Sequence, residues 1–120
     1  MKILIAEDDA ITSSSLEHAL KKDNHNITVC SNGSDALEKI KKDTPDLVIT
    51  DIMMPFVTGL ELVEWIKNNY NDQIKIIVLT SIGQEDVVLE AFALGVDDFL
   101  TKPFNPEEIS IRINRFEKDN

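Results

Sequence analysis

Several short apolar runs of this sequence end at side chains that could bind a metal ion or a phosphoryl group. These residues are an acidic triplet, a lone aspartate, a threonine and a lysine: Glu7, Asp8, Asp9, Asp51, Thr80 and Lys102. Carboxylates crowded into one site repel one another, and a divalent cation relieves that repulsion. Because hard oxygen ligands without nearby His or Cys favour magnesium over zinc, the pattern indicates Mg²⁺, with Mn²⁺ as a substitute.

The same residues are suited to phosphoryl transfer. Mg²⁺ held by few carboxylates usually binds phosphate as well. Lys102 would supply a second positive charge, and Thr80 would donate a hydrogen bond to a phosphoryl oxygen. Asp51 is the best candidate for the nucleophile, because it follows the apolar run 47–50 and would lie at the end of a central strand.

Each residue taken alone also has a purely structural interpretation. Asp8 and Asp9 could cap a helix, where carboxylates are stabilised by the helix dipole. Thr80 could cap the helix that follows its strand, and Lys102 could be a surface residue. All of these groups falling at one edge of a fold is much less expected than any single structural role.

The elements between these residues must bring them together. Short apolar segments, predicted to be strands, cover 2–6, 27–30, 46–50, 75–79 and 97–100. Amphipathic segments, predicted to be helices, cover 10–22, 34–42, 59–70, 84–94 and a last stretch from Pro106. Five strand-then-helix units predict an α/β domain with a parallel sheet covered on both faces. Sites in such sheets form beyond the carboxyl ends of the strands, which is where the chemically capable residues fall.

Apolar spacing indicates which helix faces are buried. Ile11 stands near the start of the apolar stripe of 10–22, and Val87, Val88, Ala91 and Phe92 form that of 84–94. Stripes of this kind are typical of a core rather than of a cofactor site.

Cap residues mark the starts of two predicted helices, and the two histidines lie outside the acidic segments. Ser34 is a candidate cap for the second helix, and Asn105 followed by Pro106 predicts the start of the last one. His18 and His25 are interpreted as exposed residues of a helix and a loop rather than as phosphodonors, because no sequence feature pairs either with the acidic residues.

Composition excludes several classes of partner. The chain has 120 residues, 42% of them apolar, and its 12 Lys and Arg against 22 Asp and Glu give a net charge of −10. Such a surface repels phosphate backbones and anionic lipid headgroups, so neither direct nucleic acid contact nor membrane binding is expected. Cys30 is the single cysteine, which excludes an internal disulfide. No apolar run approaches a signal core or the ~20 residues of a membrane span. We therefore expect a soluble, cytoplasmic protein.

Four segments resemble the receiver domain of bacterial two-component response regulators. They are ILIAEDD (3–9), PDLVITDIMMPFVTGLEL (45–62), IIVLTS (76–81) and GVDDFLTKPFNPEE (95–108). The resemblance covers essentially residues 1–120. It implies a (βα)5 doubly wound, flavodoxin-like fold whose five parallel strands have the order 2-1-3-4-5. The last segment looks most like receivers of the winged-helix transcription-factor subfamily, which implies an effector domain beyond this chain.

The resemblance also implies the chemistry of the acidic residues. Asp51 would accept a phosphoryl group from the phosphohistidine of a sensor histidine kinase or from a small phosphodonor. Glu7, Asp8, Asp51 and the backbone carbonyl of Met53 would hold the metal. Lys102 would be the lysine of the site, and the Lys102–Pro103 peptide bond would be cis. The domain would be a phosphoacceptor with a regulatory role rather than an enzyme acting on other substrates.

A change of shape is the implied output. Thr80 would move toward the phosphoryl group, and Phe99 would turn inward into the space left behind. The face formed by the fourth helix, fifth strand and fifth helix would change, and an effector domain, a downstream protein or a second copy of the chain would bind it. Asp97, Asp98 and Arg112 match some of the salt-bridge residues of a phosphorylation-dependent homodimer through that face, but Val87 and Val88 stand in the fourth helix where a basic residue would be expected.

Three other functions would use a similar fold or site. A haloacid-dehalogenase-type phosphatase also uses a strand-end Asp with Mg²⁺, but it needs a second Asp where this chain has Met53. A flavodoxin-like flavin carrier needs a loop that cradles phosphate after the first strand, and the carboxylates of residues 7–9 would repel that phosphate. A pseudo-receiver would be a phosphorylation-independent scaffold, and the complete set of site residues argues against it.

Overall fold

Five strands alternate with five helices in the computed structural model, which describes residues 1–118. The strands are β1 (Lys2–Ala6), β2 (Asn26–Cys30), β3 (Leu47–Asp51), β4 (Lys75–Thr80) and β5 (Asp98–Thr101). The helices are α1 (Ala10–Lys22), α2 (Gly33–Lys42), α3 (Gly59–Tyr70), α4 (Glu85–Leu94) and α5 (Pro106–Lys118). Each predicted element is present, and its ends differ from the prediction by no more than one residue. Among residues 1–118, none of the helices has both the length and the apolar character needed to cross a membrane.

The strands form one parallel sheet in the order β2-β1-β3-β4-β5. This is the fold class and strand order that the family resemblance implied. In the register, Asp51 pairs with Leu79 and Thr80 pairs with Thr101, so β3, β4 and β5 end nearly level with one another. The carboxyl ends of the strands therefore meet at one edge of the sheet, which we call the carboxyl edge.

Two apolar cores lie on opposite faces of the sheet. Successive strand side chains point to opposite faces, so Leu4 and Ala6 belong to one core and Ile3 and Ile5 to the other. In the first core the buried helix residues come from α2, α3 and α4: Ala36, Ile40, Leu62, Val63, Ile66 and Ala91. In the second they come from α1 and α5: Leu16, Leu20, Ile109, Ile113 and Phe116. Helices on both faces explain why the central strands are almost entirely apolar.

Two apolar residues assigned to buried helix faces lie at the surface instead. Ile11 is 82% exposed and lies in the first turn of α1, directly after the carboxyl end of β1. Phe92 is 43% exposed, because α4 packs beside β5, which is the edge strand. Within Glu85–Leu94, Ala91 is the buried residue. The α4 stripe therefore contributes less to the core than its sequence suggests.

Helix caps agree with the sequence at one helix and differ at another. Asn32, rather than Ser34, caps α2, because its side chain accepts the N–H of Asp35 at 2.8 Å. Asn105 accepts the N–H of Glu107 at 3.0 Å at the start of α5, as predicted. An Asn one residue before Gly33 was thus the better signal for the start of α2.

His25 is buried, so the prediction of an exposed loop residue is wrong. It directly precedes β2, at the amino edge of the sheet. The Met1 amino group lies 3.3 Å from Nδ1, and Glu117 Oε1 lies 3.8 Å from Nε2. Both neighbours are distant in sequence, so no local pattern indicates the burial. His18 is exposed, as predicted.

Candidate functional site

Glu7, Asp8 and Asp51 come together at the carboxyl edge. One carboxylate oxygen from each lies within 4.8 Å of the other two. Glu7 directly follows β1, its N–H donates to the Cys30 carbonyl at 3.0 Å, and its side chain is fully buried. Asp51 ends β3 and is buried, whereas Asp8 is exposed. This acidic cluster is therefore fixed by two strands and open to solvent at Asp8.

The Lys102 ammonium lies inside the acidic cluster. Its Nζ is 2.5 Å from Glu7 Oε1 and 3.2 Å from Asp51 Oδ2, and the Lys102–Pro103 peptide bond is cis. Burial lowers the pKa of Lys102, but the hydrogen bond to Glu7 and the charge of Asp51 outweigh it, so the pKa lies above the ordinary value. Lys102 is therefore a stable cation that links the ends of β1, β3 and β5.

Burial raises the pKa of Glu7 to about 7. The charge of Asp51 adds to this increase, while Lys102 and the Asp9 N–H, 3.2 Å from Oε2, oppose it. Apart from the ion pair with Lys102, Glu7 Oε1 accepts no hydrogen bond of standard geometry from residues 1–118. Three carboxylates against one ammonium leave a net negative charge, which fits a site that gains a divalent cation.

Glu7→Gln is expected to stabilise the metal-free protein above pH 7. Folded Glu7 binds its proton more tightly than unfolded Glu7, so this group lowers the stability of the wild type progressively as pH rises from about 4.5 to about 7. An amide carries no such penalty. At pH 8 in a chelator, we expect the variant to melt roughly 2–5 °C above the wild type, and the difference to shrink toward pH 5.

Thermal unfolding followed by circular dichroism at both pH values measures this effect. Added Mg²⁺ should raise the melting temperature of the wild type more than that of the variant. A variant that melts below the wild type at pH 8 would show that the ion pair with Lys102 outweighs the burial of Glu7.

Asp9 and Met53 lie beside the acidic cluster and make different contacts. Asp9 accepts the N–H of Ile11 at 3.2 Å and the hydroxyl of Thr12 at 2.7 Å, and these bonds lower its pKa. Asp9 therefore caps α1, which confirms its interpretation as a cap. The Met53 N–H donates to Asp51 Oδ1 at 3.2 Å, which holds the start of the β3–α3 loop against Asp51.

The β3–α3 loop, residues 52–58, is anchored at both ends on the carboxyl edge. The Gly59 N–H donates to the Ile52 carbonyl at 3.0 Å. A Cβ at Gly59 would collide with the backbone of Asp51, so this close approach requires glycine. Thr58 and Glu61 exchange hydrogen bonds of 3.2 Å in a capping box at the start of α3. The loop is thereby held next to Asp51.

Thr80 and Phe99 line a groove that does not include Glu7, Asp8 or Asp51. The Thr80 hydroxyl is directed toward β5, 3.4 Å from the Leu100 carbonyl. The Phe99 ring is half-buried and meets Phe92 edge to face, with ring centroids 5.5 Å apart. The groove, about 410 Å³ in volume, lies between α4 and β5 and also includes Val88 and Leu89. The structure therefore brings the two predicted switch residues together, away from the carboxylates.

Acidic residues of β5 and its preceding loop are engaged within the chain. Asp98 accepts hydrogen bonds from Arg112 at 2.6 and 2.7 Å and from Arg115 at 2.9 Å. Asp97 accepts the N–H of Ile76 at 2.8 Å. Sequence reasoning named Asp98 and Arg112 as salt-bridge residues of a dimer but missed Arg115. The spacing Arg112 to Arg115, one helical turn apart, was the signal that could have found it.

Known proteins are similar in sequence to the chain that carries this arrangement. Residues 3–114 match the model of the response regulator receiver domain. The chain belongs to this family. The receiver domain is 37% identical over 117 residues to the transcriptional regulatory protein KdpE of Staphylococcus aureus. The aligned region covers 98% of this chain and 50% of KdpE. It is 32% identical over 118 residues to the transcriptional regulatory protein CrdR of Helicobacter pylori, and this aligned region covers 98% of the chain and 55% of CrdR.

Solved structures of similar proteins share the fold of this receiver domain. A putative response regulator from Chloroflexus aurantiacus has a TM-score of 0.88 at 29% identity, over 95% of this chain and 94% of that one. The chemotaxis response regulator CheY4 of Vibrio cholerae has a TM-score of 0.87 at 29% identity, over 95% and 96%. The receiver domain therefore matches complete solved domains, whereas it spans about half the length of the curated relatives it matches.

Proposed function

We propose that this receiver domain is a phosphorylation-dependent signalling switch in which Asp51 accepts a phosphoryl group. The donor is the phosphohistidine of a sensor histidine kinase or a small phosphodonor. The observation that carries the proposal is the contact of the Lys102 ammonium with both Glu7 and Asp51, beside the exposed Asp8. A nucleophilic carboxylate thus lies next to a fixed cation and two further carboxylates at an accessible edge.

The donor set fits Mg²⁺, or Mn²⁺ in its place. Carboxylates of Glu7, Asp8 and Asp51 would hold the ion, with the backbone carbonyl of Met53 as a further oxygen ligand. The excess of three carboxylates over one ammonium supports this assignment, as does the placement of one oxygen from each carboxylate within 4.8 Å of the other two. Bound Mg²⁺ would neutralise charge on the phosphoryl oxygens.

The transfer reaction needs little from the protein beyond position and charge. A carboxylate oxygen of Asp51 forms a bond to phosphorus as the bond from phosphorus to the donor nitrogen breaks, and the product is an acyl phosphate. Lys102 offsets negative charge on the equatorial oxygens throughout. The Thr80 hydroxyl leaves its contacts with β5 and donates a hydrogen bond to an oxygen of the new phosphoryl group. The protein is thus a stoichiometric acceptor, regulated by the modification it carries.

Movement of Thr80 is the step that links the acidic cluster to the surface. Thr80 and Phe99 line one groove, so displacement of the hydroxyl opens space that the Phe99 ring can enter. The ring would then leave Phe92, and the face formed by α4, β5 and α5 would change shape. Phosphorylation shifts this equilibrium because the phosphoryl group contacts Thr80 in one state only.

Phe99→Ala is expected to separate phosphorylation from output. The variant keeps the acidic cluster, so acetyl phosphate should modify Asp51 at a rate within about twofold of the wild type. It loses the ring that reports the position of Thr80, so the phosphorylation-dependent chemical-shift changes of α4 and α5 should largely disappear. Two-dimensional NMR with and without beryllofluoride measures this, and Ile111→Ala on the exposed side of α5 is a control. Unchanged shifts in the Phe99 variant would contradict the switch.

The similar regulators are longer than this chain, which bears on what the receiver domain controls. The chain covers half of KdpE and CrdR, both described as transcriptional regulatory proteins. We therefore infer that residues 1–120 form a receiver domain that controls a C-terminal effector domain of the winged-helix kind. The partner of the α4, β5 and α5 face would be that effector, a downstream protein or a second receiver. With a net charge of −10, the receiver itself is unsuited to nucleic acid contact.

Acetyl phosphate with Mg²⁺, followed by intact mass spectrometry, tests the proposal. We expect a mass gain of one phosphate that is lost on treatment with hydroxylamine, as for an acyl phosphate, and that does not form in a chelator. No mass gain, or a gain that resists hydroxylamine, would contradict phosphorylation of a carboxylate. Multiple turnover of small phosphate esters would instead favour a phosphatase.

A further inference from the structure

Phe56, in the β3–α3 loop, combines an unfavourable backbone with an exposed aromatic ring. Its φ is +69°, in the left-handed region that favours glycine, because a Cβ there crowds the backbone. The residue is also 86% exposed, so the ring gains little from packing against residues 1–118. Neither feature helps the domain to fold. Strain of this kind concentrates at functional positions.

The anchoring of the loop places Phe56 at the site. The Met53 N–H bonds to Asp51 Oδ1 at the start of the loop, and the Gly59 N–H bonds to the Ile52 carbonyl at its end. Phe56 lies between these two anchors. The ring is therefore presented at the carboxyl edge, on the same loop that directly follows the phosphoacceptor.

Half of the exposed large apolar side chains in the described part of the chain lie at this edge. Eight large apolar residues are exposed in the described part of the chain: Ile11, Val29, Met53, Phe56, Ile82, Leu89, Phe92 and Ile111. Four of them, which we call the apolar rim, lie in the loops or the first helical turn after β1, β3 and β4: Ile11, Met53, Phe56 and Ile82. Exposed apolar side chains in the loops beside a charged site are typical of a surface that a protein covers.

We infer that Phe56 is the anchor through which a protein phosphodonor docks on this receiver. The inference rests on the proposed function and names the group that distinguishes protein donors from small ones. A small donor needs only Asp51 and the cations of the site. A protein donor has to bring phosphorus into contact with Asp51, so its surface must cover the rim.

Charge defines the chemistry of that partner further. Asp8 and Asp9 are exposed beside the rim, and the receiver carries a net charge of −10. The donor therefore presents an apolar pocket for Phe56, flanked by basic side chains, next to its phosphohistidine. Aromatic residues that fill such pockets at the centre of an interface commonly dominate its binding energy.

Two variants at this position separate docking from strain. Phe56→Ala removes the ring and keeps a Cβ in the left-handed region, whereas Phe56→Gly removes both. Histidine kinases of the source organism are each autophosphorylated with ATP, and the one that transfers fastest to the wild type is the probe. Both variants should accept phosphate from this kinase roughly 10–30-fold more slowly than the wild type. With acetyl phosphate and Mg²⁺, both should react at the wild-type rate.

Stability provides a second readout of the same variants. Relief of the left-handed Cβ should raise the melting temperature of Phe56→Gly by roughly 2–5 °C, while Phe56→Ala stays near the wild type. Ile111→Ala, which removes an exposed apolar side chain from α5, should change neither the kinase rate nor the acetyl phosphate rate.

The outcomes are distinguishable. Wild-type transfer rates from the kinase in both Phe56 variants would overturn the inference, as would equal losses with kinase and with acetyl phosphate. A receiver that takes phosphate from acetyl phosphate but from none of the kinases would also overturn it. A melting temperature of Phe56→Gly below that of the wild type would show that the ring supports the fold instead. Failure of the wild type with every donor would overturn the proposed function itself.

Discussion

Asp51→Asn is expected to abolish phosphate uptake. The carboxamide has neither the negative charge nor the nucleophilic oxygen of the carboxylate, and no other group takes its place between the Met53 N–H and the Lys102 ammonium. After incubation with acetyl phosphate and Mg²⁺, the variant should show less than about 1% of the wild-type mass gain. Intact mass spectrometry over a time course measures this loss.

Asp72→Asn is the matched control for this variant. The Asp72 side chain is 92% exposed and precedes β4, at the amino edge of the sheet, where it pairs with Lys67. We expect it to be phosphorylated at the wild-type rate. An unchanged mass gain in Asp51→Asn would mean that another side chain accepts the phosphate, and peptide mapping would then identify it.

Lys102→Ala is expected to slow phosphorylation by roughly 100-fold. The variant removes the cation that contacts both Glu7 and Asp51, so negative charge that develops on the phosphoryl oxygens is no longer offset from this side. It also removes the hydrogen bond that lowers the pKa of Glu7, so this pKa should rise further above about 7. The acetyl phosphate reaction gives the rate, and carboxyl NMR titration of metal-free protein gives the pKa.

Lys41→Ala serves as the control for loss of a positive charge. Lys41 is an exposed residue of α2 that pairs with Glu38 at 3.6 Å, and its removal should leave both the rate and the Glu7 titration unchanged. If Lys102→Ala reacts as fast as this control, charge neutralisation by the lysine is not part of the transfer. A Glu7 pKa that falls in the Lys102 variant would contradict the balance of burial and ion pairing described above.

Much of the fold could be predicted because the signals are local and repeated. Short β-branched runs followed by amphipathic segments predict alternating strands and helices, and parallel pairing then requires crossovers. Once the strands are parallel, their carboxyl ends share an edge. The proximity of Glu7, Asp8, Asp51 and Lys102 therefore follows from topology, without knowledge of any side-chain contact.

Features that depend on distant neighbours could not be predicted in the same way. Buried His25 contacts Met1 and Glu117, which lie near opposite ends of the chain. Phe92 has the spacing of a core residue, but α4 packs at the edge strand and leaves the ring half-exposed. The orientation of the Thr80 hydroxyl toward Leu100 is likewise a property of the assembled sheet.

Predictions from the family resemblance have a different basis. The resemblance implied the strand order and the cis Lys102–Pro103 bond, and both are present. It said nothing about Phe56, because the unusual feature there is a backbone angle. A positive φ cannot be read from an aromatic residue in a sequence, since few such residues adopt one.

The ionic contacts of Asp98 make the two helices beside β5 mechanically unequal. α5 is fastened to the sheet by Arg112, Arg115 and three buried apolar side chains, whereas α4 contributes Ala91 as its buried residue. Because α4 is held by fewer of these contacts than α5, a movement that starts at Thr80 should displace α4 more than α5. α5 would then stay fixed relative to the sheet. A partner that binds both helices would respond to a change in the angle between them.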